Sequence, residues 1–151
     1  MDDQELQEHP EGGRYKEVFR SAITIAAGRR SRSALTHIYF SLDTGEVSRF
    51  HKVSSDEVWN LYEGTGLILF LWDEEREAME RVELCTAKRD YCFVVRAGLW
   101  QAAMPVGGKV LVGCSVAPGF EFEDFELIDP AGTVGTTILN SYPTLQRLVT
   151  P

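Results

Sequence analysis

The sequence predicts an all-β protein, an antiparallel sandwich or barrel, and three observations lead to this fold class. Short apolar runs rich in β-branched and aromatic residues recur along the chain, at 34–42, 58–62, 67–72, 91–95 and 110–116. Turn-forming residues separate these runs, at 43–45, 63–66, 73–75 and 107–109. Only two short stretches look helical, at 4–9 and 141–149. Closely spaced strands joined by such turns are typical of antiparallel sandwiches and barrels.

The elements outside the central runs are assigned in chain order. Residues 4–9 are predicted as a short helix, and 15–20 and 22–27 as two N-terminal strands. The arginine-rich stretch 28–32 is predicted to be a solvated connection. Residues 120–126 alternate between aromatic and acidic side chains, which predicts an edge strand whose charges discourage further pairing, or a segment that closes over the mouth of the barrel. The last helix is predicted at 141–149, because it starts with a serine and has a proline in its first turn.

Composition limits the partners of the protein. A chain of 151 residues fits one domain, and its formal net charge of -8 argues against nucleic-acid binding, which depends on clustered Lys and Arg. It contains no apolar run of the roughly 18 residues that a membrane-spanning helix needs. The acidic N-terminus does not resemble a signal peptide, so we expect a soluble, cytoplasmic protein. Its three cysteines are predicted to be buried small side chains, not a disulfide framework or a zinc site.

Residues 45–64 carry the chemistry that the sequence suggests. His51 and Glu57 lie on either side of a short turn. Alternation along the two flanking strands places Arg49 on the face of His51, and Trp59 on the face of Glu57. If these faces point inward, an Arg, a His, a Glu and a Trp share an apolar cage that is suited to a small polar ligand.

Several roles are open for these residues. His51 beside a carboxylate is a candidate general base. Glu57 is expected to hold Arg49 or orient His51, and either partner favours the charged form of the Glu57 carboxyl group. The alternative is that His51 and Glu57 form a satisfied polar pair without further function. Tyr39 is either a hydroxyl donor at the lumen or a core residue, and Trp59 either stacks on a ligand or packs in the core.

The segment that carries His51 and Glu57 resembles the first motif of the cupins. Gly45, His51, Glu57 and Gly64 fall in register with that motif, whereas Val53 occupies the position of its second His. Three further blocks, at 9–13, 97–103 and 112–127, follow in the same order as in a small single-domain cupin family of undefined function.

The resemblance runs from His9 to Leu127 and implies the domain organisation. It implies a double-stranded β-helix, a jelly-roll-like barrel, over residues 9–127, with short helices near the termini. Residues 1–8 are then an N-terminal extension, and 128–151 a C-terminal extension with a short helix. The family is usually homodimeric, and we expect the N-terminal strands near 15–25 to pair across the two-fold axis.

The resemblance also bears on metal binding. Gln101 stands at the third His position of the cupin metal site, so the chain offers only His51, Glu57 and the amide oxygen of Gln101. This is a poor ligand set for Zn²⁺, Ni²⁺ or Fe²⁺. We therefore predict no tightly bound metal and no cofactor, and leave weak binding of an ion by these three residues open.

Two functions remain after these exclusions. The first is a metal-independent isomerase or epimerase acting on a small polar or sugar-like molecule, with His51 as base and Arg49 or Gln101 polarising a carbonyl group. The alternative is a non-catalytic cupin that binds or senses a small molecule. A metal-dependent cupin oxygenase is the least favoured possibility, because Val53 and Gln101 break its ligand set.

Overall fold

The computed structural model describes residues 5–151, which form two antiparallel β-sheets, a two-stranded arm and two short helices. The strands are β1 (Gln7–Glu8), β2 (Arg14–Arg20), β3 (Thr24–Ala27), β4 (Arg30–Ser33), β5 (Thr36–Leu42), β6 (Ser48–Val53), β7 (Asp56–Glu63), β8 (Gly66–Asp73), β9 (Ala78–Cys85), β10 (Cys92–Val95), β11 (Trp100–Val106), β12 (Val110–Ala117) and β13 (Phe125–Leu127). The helices are α1 (Thr133–Ser141) and α2 (Gln146–Val149).

The two sheets form a jelly roll. The larger sheet has the strand order β1-β2-β5-β12-β7-β10, the smaller sheet β13-β6-β11-β8-β9, and β3 pairs with β4 in a separate arm. From β5 to β8, and again from β9 to β13, each strand lies in the sheet opposite to that of its predecessor. This alternation between two facing antiparallel sheets is the double-stranded β-helix, so the predicted fold class is confirmed.

Strand β8 shows how the sequence builds two apolar layers. Leu67, Leu69 and Leu71 point between the sheets, where they join the core that contains Phe40 and Trp59. The intervening residues of β8, including Phe70 and Trp72, point to the other side of the smaller sheet and pack against the C-terminal helices. Because both faces of β8 are covered, its sequence is almost continuously apolar instead of alternating.

Three local predictions of secondary structure differ from the structure, and so does the predicted burial of the cysteines, since Cys92 is exposed and Cys85 is only partly buried. The predicted helix at 4–9 is wrong where it can be compared, because Gln7–Glu8 pairs with β2 as a strand; Gln4 lies outside the described residues. The predicted helix at 141–149 is displaced: α1 ends at Ser141, and a 3-10 turn, Pro143–Leu145, leads into α2. Residues 28–32 are not a simple solvated connection, because Arg30–Ser33 forms β4. None of the helices within residues 5–151 is long and apolar enough to cross a membrane.

Candidate functional site

A cavity of about 320 Å³ opens at one end of the barrel. Strands β2, β5, β7 and β12 of the larger sheet line it, together with β6 of the smaller sheet and the segments 7–11 and 120–122. Its volume lies at the lower end of the range of about 300–1,000 Å³ that is usual for small-molecule sites. The barrel can therefore enclose a small molecule.

His51 and Glu57 reach this cavity from opposite sheets. His51 is on β6 of the smaller sheet and is 2% exposed, and Glu57 is near the start of β7 in the larger sheet and is 7% exposed. Both side chains line the cavity, as does Val53, which fills the place of a second His with an apolar side chain. Both side chains that the sequence suggested for an inward-facing site therefore lie in the interior of the barrel.

Arg49 does not line the cavity, and its predicted placement beside His51 is wrong. In the pairing of β6 with β11, His51 lies opposite Gln101 and Ser48 lies opposite Ala103, so β6 contains one extra residue between them. Such a β-bulge reverses the inward and outward positions on its two sides. Ser48 is consequently buried on the inner side, whereas the Arg49 guanidinium donates a hydrogen bond to the carbonyl oxygen of Pro10.

Trp59 and Gln101 lie behind the cavity, where they form a hydrogen-bonded chain that ends at Glu57. The indole Nε1 of Trp59 donates to Oε1 of Gln101 at 2.7 Å, and Nε2 of Gln101 donates to Oε2 of Glu57 at 2.6 Å. An indole N–H can only donate, so the amide atom that faces Trp59 must be the oxygen. The amide nitrogen is therefore directed to Glu57, and neither Trp59 nor Gln101 lines the cavity.

Tyr39 faces away from the barrel interior. It alternates with Ile38 and Phe40 along β5, and those two residues line the cavity. The Tyr39 ring instead packs against His37 and Tyr62 on the outer face of the larger sheet. The suggested role of Tyr39 as a lumenal hydroxyl donor is therefore wrong in this strand register.

The ring of His51 is held in one tautomer. Its Nδ1 atom lies 2.9 Å from the carbonyl oxygen of Arg49 and 3.1 Å from Oε2 of Glu11. A carbonyl oxygen can only accept a hydrogen bond, so Nδ1 carries the proton and Nε2 carries the lone pair. Burial lowers the pKa of His51 to about 4, although the bond to Arg49 partly opposes this shift. His51 is thus a neutral imidazole at pH 7 and a weak base.

Glu57 is the group whose ionisation is best matched to neutral pH. Burial raises the pKa of its carboxyl group to about 7, and hydrogen bonds from Gln101 and the Cys114 thiol only partly oppose the rise. These contacts correct the expectation that Glu57 would hold Arg49 or orient His51 in a charged form. Its partners are neutral groups, so nothing among them fixes the carboxyl group permanently in the ionised form.

Glu11 and His9 are functional candidates that the residue-level reasoning missed. The Glu11 side chain accepts a hydrogen bond from Ser48 and contacts both histidines, His9 and His51, on the cavity wall. Burial, and next the nearby Glu57, raise the pKa of Glu11 well above its usual range. The sequence feature that could have indicated Glu11 is the pair of glycines after it, Gly12 and Gly13. Gly12 adopts φ +110°, and a Cβ there would lie 2.2 Å from the carbonyl oxygen of Val47, so this turn needs a glycine to pack against the barrel.

Aromatic and charged residues form the rim of the cavity. Phe120, Glu121 and Phe122 line it just before β13, so the suggestion that this segment reaches the mouth is consistent with the structure. The segment is only partly a strand, because a 3-10 turn, Phe122–Asp124, precedes the edge strand β13. Arg32 fastens this turn by two hydrogen bonds to Asp124, at 2.7 and 3.0 Å.

The residues present do not fit the metal site of a metal-binding cupin. The position of the second His is occupied by Val53, and the one possible ligand oxygen of Gln101 accepts the Trp59 hydrogen bond. Across residues 5–151, no cluster of three or more His, Cys, Asp or Glu side chains is arranged to hold a metal ion. These side chains are therefore better suited to proton transfer and hydrogen bonding than to binding a transition-metal ion.

Comparisons with known proteins agree with this architecture. A family model described as "Cupin superfamily (DUF985)" matches residues 1–128. Protein SO0799 from Shewanella oneidensis is 35% identical, with a TM-score of 0.79 over 97% of this chain and 92% of that chain. A hypothetical protein from Leishmania major is 28% identical, with a TM-score of 0.78 over the same shares of the two chains.

A more distant structure shares the fold alone. Oxalate decarboxylase from Bacillus subtilis is 12% identical, with a TM-score of 0.62 over 93% of this chain and 35% of that chain. No curated protein matches the sequence.

Proposed function

Since the chain belongs to the cupin superfamily, in the family DUF985, we propose that its barrel binds a small polar or sugar-like molecule and isomerises it without a metal ion. The observation that carries this proposal is the meeting of Glu57 and neutral His51, from opposite sheets, in one cavity of about 320 Å³. A carboxyl group can transfer protons, a neutral imidazole can accept a hydrogen bond, and both side chains are more than nine-tenths buried.

In the proposed reaction, Glu57 moves one proton. The carboxylate takes a proton from the hydroxyl-bearing carbon next to a carbonyl group, leaving an enediolate. The hydroxyl proton then moves to the former carbonyl oxygen, and the carboxylic acid returns its proton to the former carbonyl carbon. The step needs no oxidant or reductant. A pKa of about 7 supports this role, because both forms of Glu57 are then populated at neutral pH.

His51 has a different role in this proposal from the one expected from sequence. With a pKa of about 4 it is a weaker base than Glu57, and its Nε2 lone pair is suited to accept a hydrogen bond from a substrate hydroxyl group. Isomerisation by a single base is better supported than epimerisation, which needs an acid on the opposite face. Tyr39, the expected acid, lies outside the barrel.

A non-catalytic binding module is the second candidate, and the attachment of the rim supports it. Arg20 joins β2 to Glu121 of the rim by a hydrogen bond of 2.8 Å. Among residues 5–151, β2 beyond Tyr15 pairs with β5 alone, so within this part of the chain the edge of Lys16–Arg20 has no second strand, and we propose that a second copy of the chain pairs with it. In this version, the ligand changes the rim, β2 transmits the change across a homodimer, and a monomer in sedimentation experiments would remove the idea.

Deuterium exchange tests the proposed isomerase. Small hydroxy-aldehydes and hydroxy-ketones are incubated with the protein in D₂O, and deuterium at the carbon next to the carbonyl is measured by NMR. Exchange is expected with the wild type and should be lost in Glu57→Gln, whereas Glu63→Gln, an exposed carboxyl on the same strand, should keep it. Binding without any exchange would favour the second candidate.

A further inference from the structure

More acidic than basic side chains line the cavity. Among residues 5–151, four carboxyl groups line it, those of Glu11, Glu17, Glu57 and Glu121, against one guanidinium, that of Arg20. No lysine of the described part of the chain takes part in the lining. Even with the buried Glu11 and Glu57 in their neutral forms, Glu17 and Glu121 outnumber Arg20, so an anionic ligand would meet a net negative rim on a chain whose formal net charge is -8.

The Arg20 guanidinium is hydrogen-bonded to residues of the rim. Its guanidinium donates to Glu17 at 2.7 Å, to Glu121 at 2.8 Å and to the carbonyl oxygen of Phe120 at 3.0 Å. The rim thus holds two carboxylates and one cation, which leaves one net negative charge at the entrance. Because most of its N–H donors are used there, little of the Arg20 guanidinium is left for an anionic ligand or for the carboxyl groups deeper in the cavity.

The two deep carboxyl groups have only neutral partners. Glu57 accepts from the Gln101 amide and the Cys114 thiol, and Glu11 accepts from the Ser48 hydroxyl and lies against the imidazoles of His9 and His51. Burial lowers the pKa of both histidines, to about 3 for His9 and about 4 for His51, so neither is a cation at neutral pH. Two carboxyl groups, each more than nine-tenths buried, therefore share one cavity, and the groups they contact among the described residues carry no positive charge.

The walls above these carboxyl groups are aromatic. The rings of Tyr15, Phe40, Phe120 and Phe122 line the cavity, and Phe120 and Phe122 pack edge to face with centroids 5.0 Å apart. The faces of aromatic rings attract positive charge, so these walls favour a cationic ligand, as do the carboxyl groups of Glu11 and Glu57. An apolar wall also accommodates the hydrocarbon part of a small organic molecule.

We infer that the ligand of this cavity is a small organic cation, a primary ammonium compound whose charged end reaches Glu57 and whose body lies between the aromatic walls. A primary ammonium group has three N–H donors, and the floor offers three acceptors: the carboxyl groups of Glu57 and Glu11 and the Nε2 lone pair of His51. This inference rests on the proposed function, because it names the substrate class of the same cavity. The positive charge of the ligand would in turn favour the carboxylate form of Glu57.

Three probes with one carbon skeleton test the charge preference. Isobutylammonium, isobutanol and isobutyrate are titrated separately into the ¹⁵N-labelled protein at about pH 8, and the shifts of cavity residues give each Kd. The ammonium probe is expected to bind at least tenfold more tightly than the alcohol, with the carboxylate weakest. Glu57→Gln should reduce the preference for the cation to less than threefold, and Glu63→Gln should leave it unchanged.

Several outcomes would overturn the inference. They are equal or tighter binding of the alcohol or the carboxylate, no binding of any probe at the cavity residues, and an unchanged cation preference in Glu57→Gln. Failure here is separable from failure of the proposed isomerase, since the probes have no carbonyl group and cannot be turned over. Cation preference without deuterium exchange would leave an amine-binding module, and exchange of neutral substrates without cation preference would leave an isomerase of another substrate class.

Discussion

Replacing Glu57 with Gln should stabilise the protein at alkaline pH and leave its stability almost unchanged in acid. Burial raises the pKa of Glu57 from the ordinary value of 4.5 to about 7. Between those two values, the unfolded chain carries the carboxylate whereas the folded protein retains the carboxylic acid. The folded state thus binds more protons, so the wild type loses stability as the pH rises through this window.

The size of the effect follows from the shift. One pKa unit corresponds to about 1.4 kcal/mol, so the rise from 4.5 to about 7 costs the wild type about 3 kcal/mol above the folded pKa. For a chain of this length, that difference is roughly 6–12 °C in Tm. The variant's amide oxygen still accepts the hydrogen bond from Gln101 Nε2, so packing changes little. Removal of the Glu57 charge also eases the ionisation of Glu11, which acts in the same direction.

Urea unfolding of the wild type and Glu57→Gln at about pH 4.5, 6, 7 and 8.5 measures this difference. The free energy of unfolding of the variant should exceed that of the wild type by a margin that grows with pH and levels off above about pH 8. Glu63→Gln, from the exposed end of the same strand, should show no comparable trend. A difference that is independent of pH, or a wild type that is the more stable protein at alkaline pH, would refute the reasoning.

Three further predictions concern the hydrogen-bonded chain, the metal ligands and the Glu11 turn. Gln101→Leu leaves the Trp59 indole and Glu57 without their buried partner, so the free energy of unfolding should fall by about 2–5 kcal/mol. An unchanged urea midpoint would show that this row of hydrogen bonds does not stabilise the fold. The double variant Val53→His, Gln101→His should retain about one Zn²⁺ per chain after dialysis, as measured by elemental analysis, and the wild type none; one ion per wild-type chain would contradict the donor-set argument. Gly12→Ala should destabilise the protein more than Gly45→Ala by about 1–3 kcal/mol, because both have positive φ but only Gly12 faces a backbone atom at 2.2 Å. Equal urea midpoints for these two variants would show that this close approach is unimportant.

The sequence predicted those features that depend on local patterns. Short apolar runs and the turn signals between them identify β5, β7, β8, β10 and β12, because the alternation of side chains along a strand and turn chemistry act within a few residues. The inward positions of Glu57 and Trp59 follow from the same alternation, and the structure confirms that both are buried. His51 and Glu57 were found because their positions between two glycines match a motif that is itself a local pattern.

The remaining features depend on long-range contacts. The bulge that turns Arg49 outward arises from the pairing of β6 with β11, and the sequence of β6 alone does not indicate it. Glu11 enters the barrel because its turn packs against Val47, which is distant in sequence. The low pKa of His51 and the raised pKa of Glu57 come from burial, which is a property of the closed barrel and not of either segment.

A pH titration by NMR of protein labelled with ¹³C in Glu and ¹⁵N in His tests the central claim, that the cavity holds one base that titrates near neutral pH, Glu57, and one neutral imidazole, His51. The account predicts that the Glu57 carboxyl carbon titrates near pH 7 and that His51 remains neutral, with its proton on Nδ1, down to about pH 5. A Glu57 that titrates near its ordinary value of 4.5, or a His51 that is protonated at neutral pH, would contradict the account.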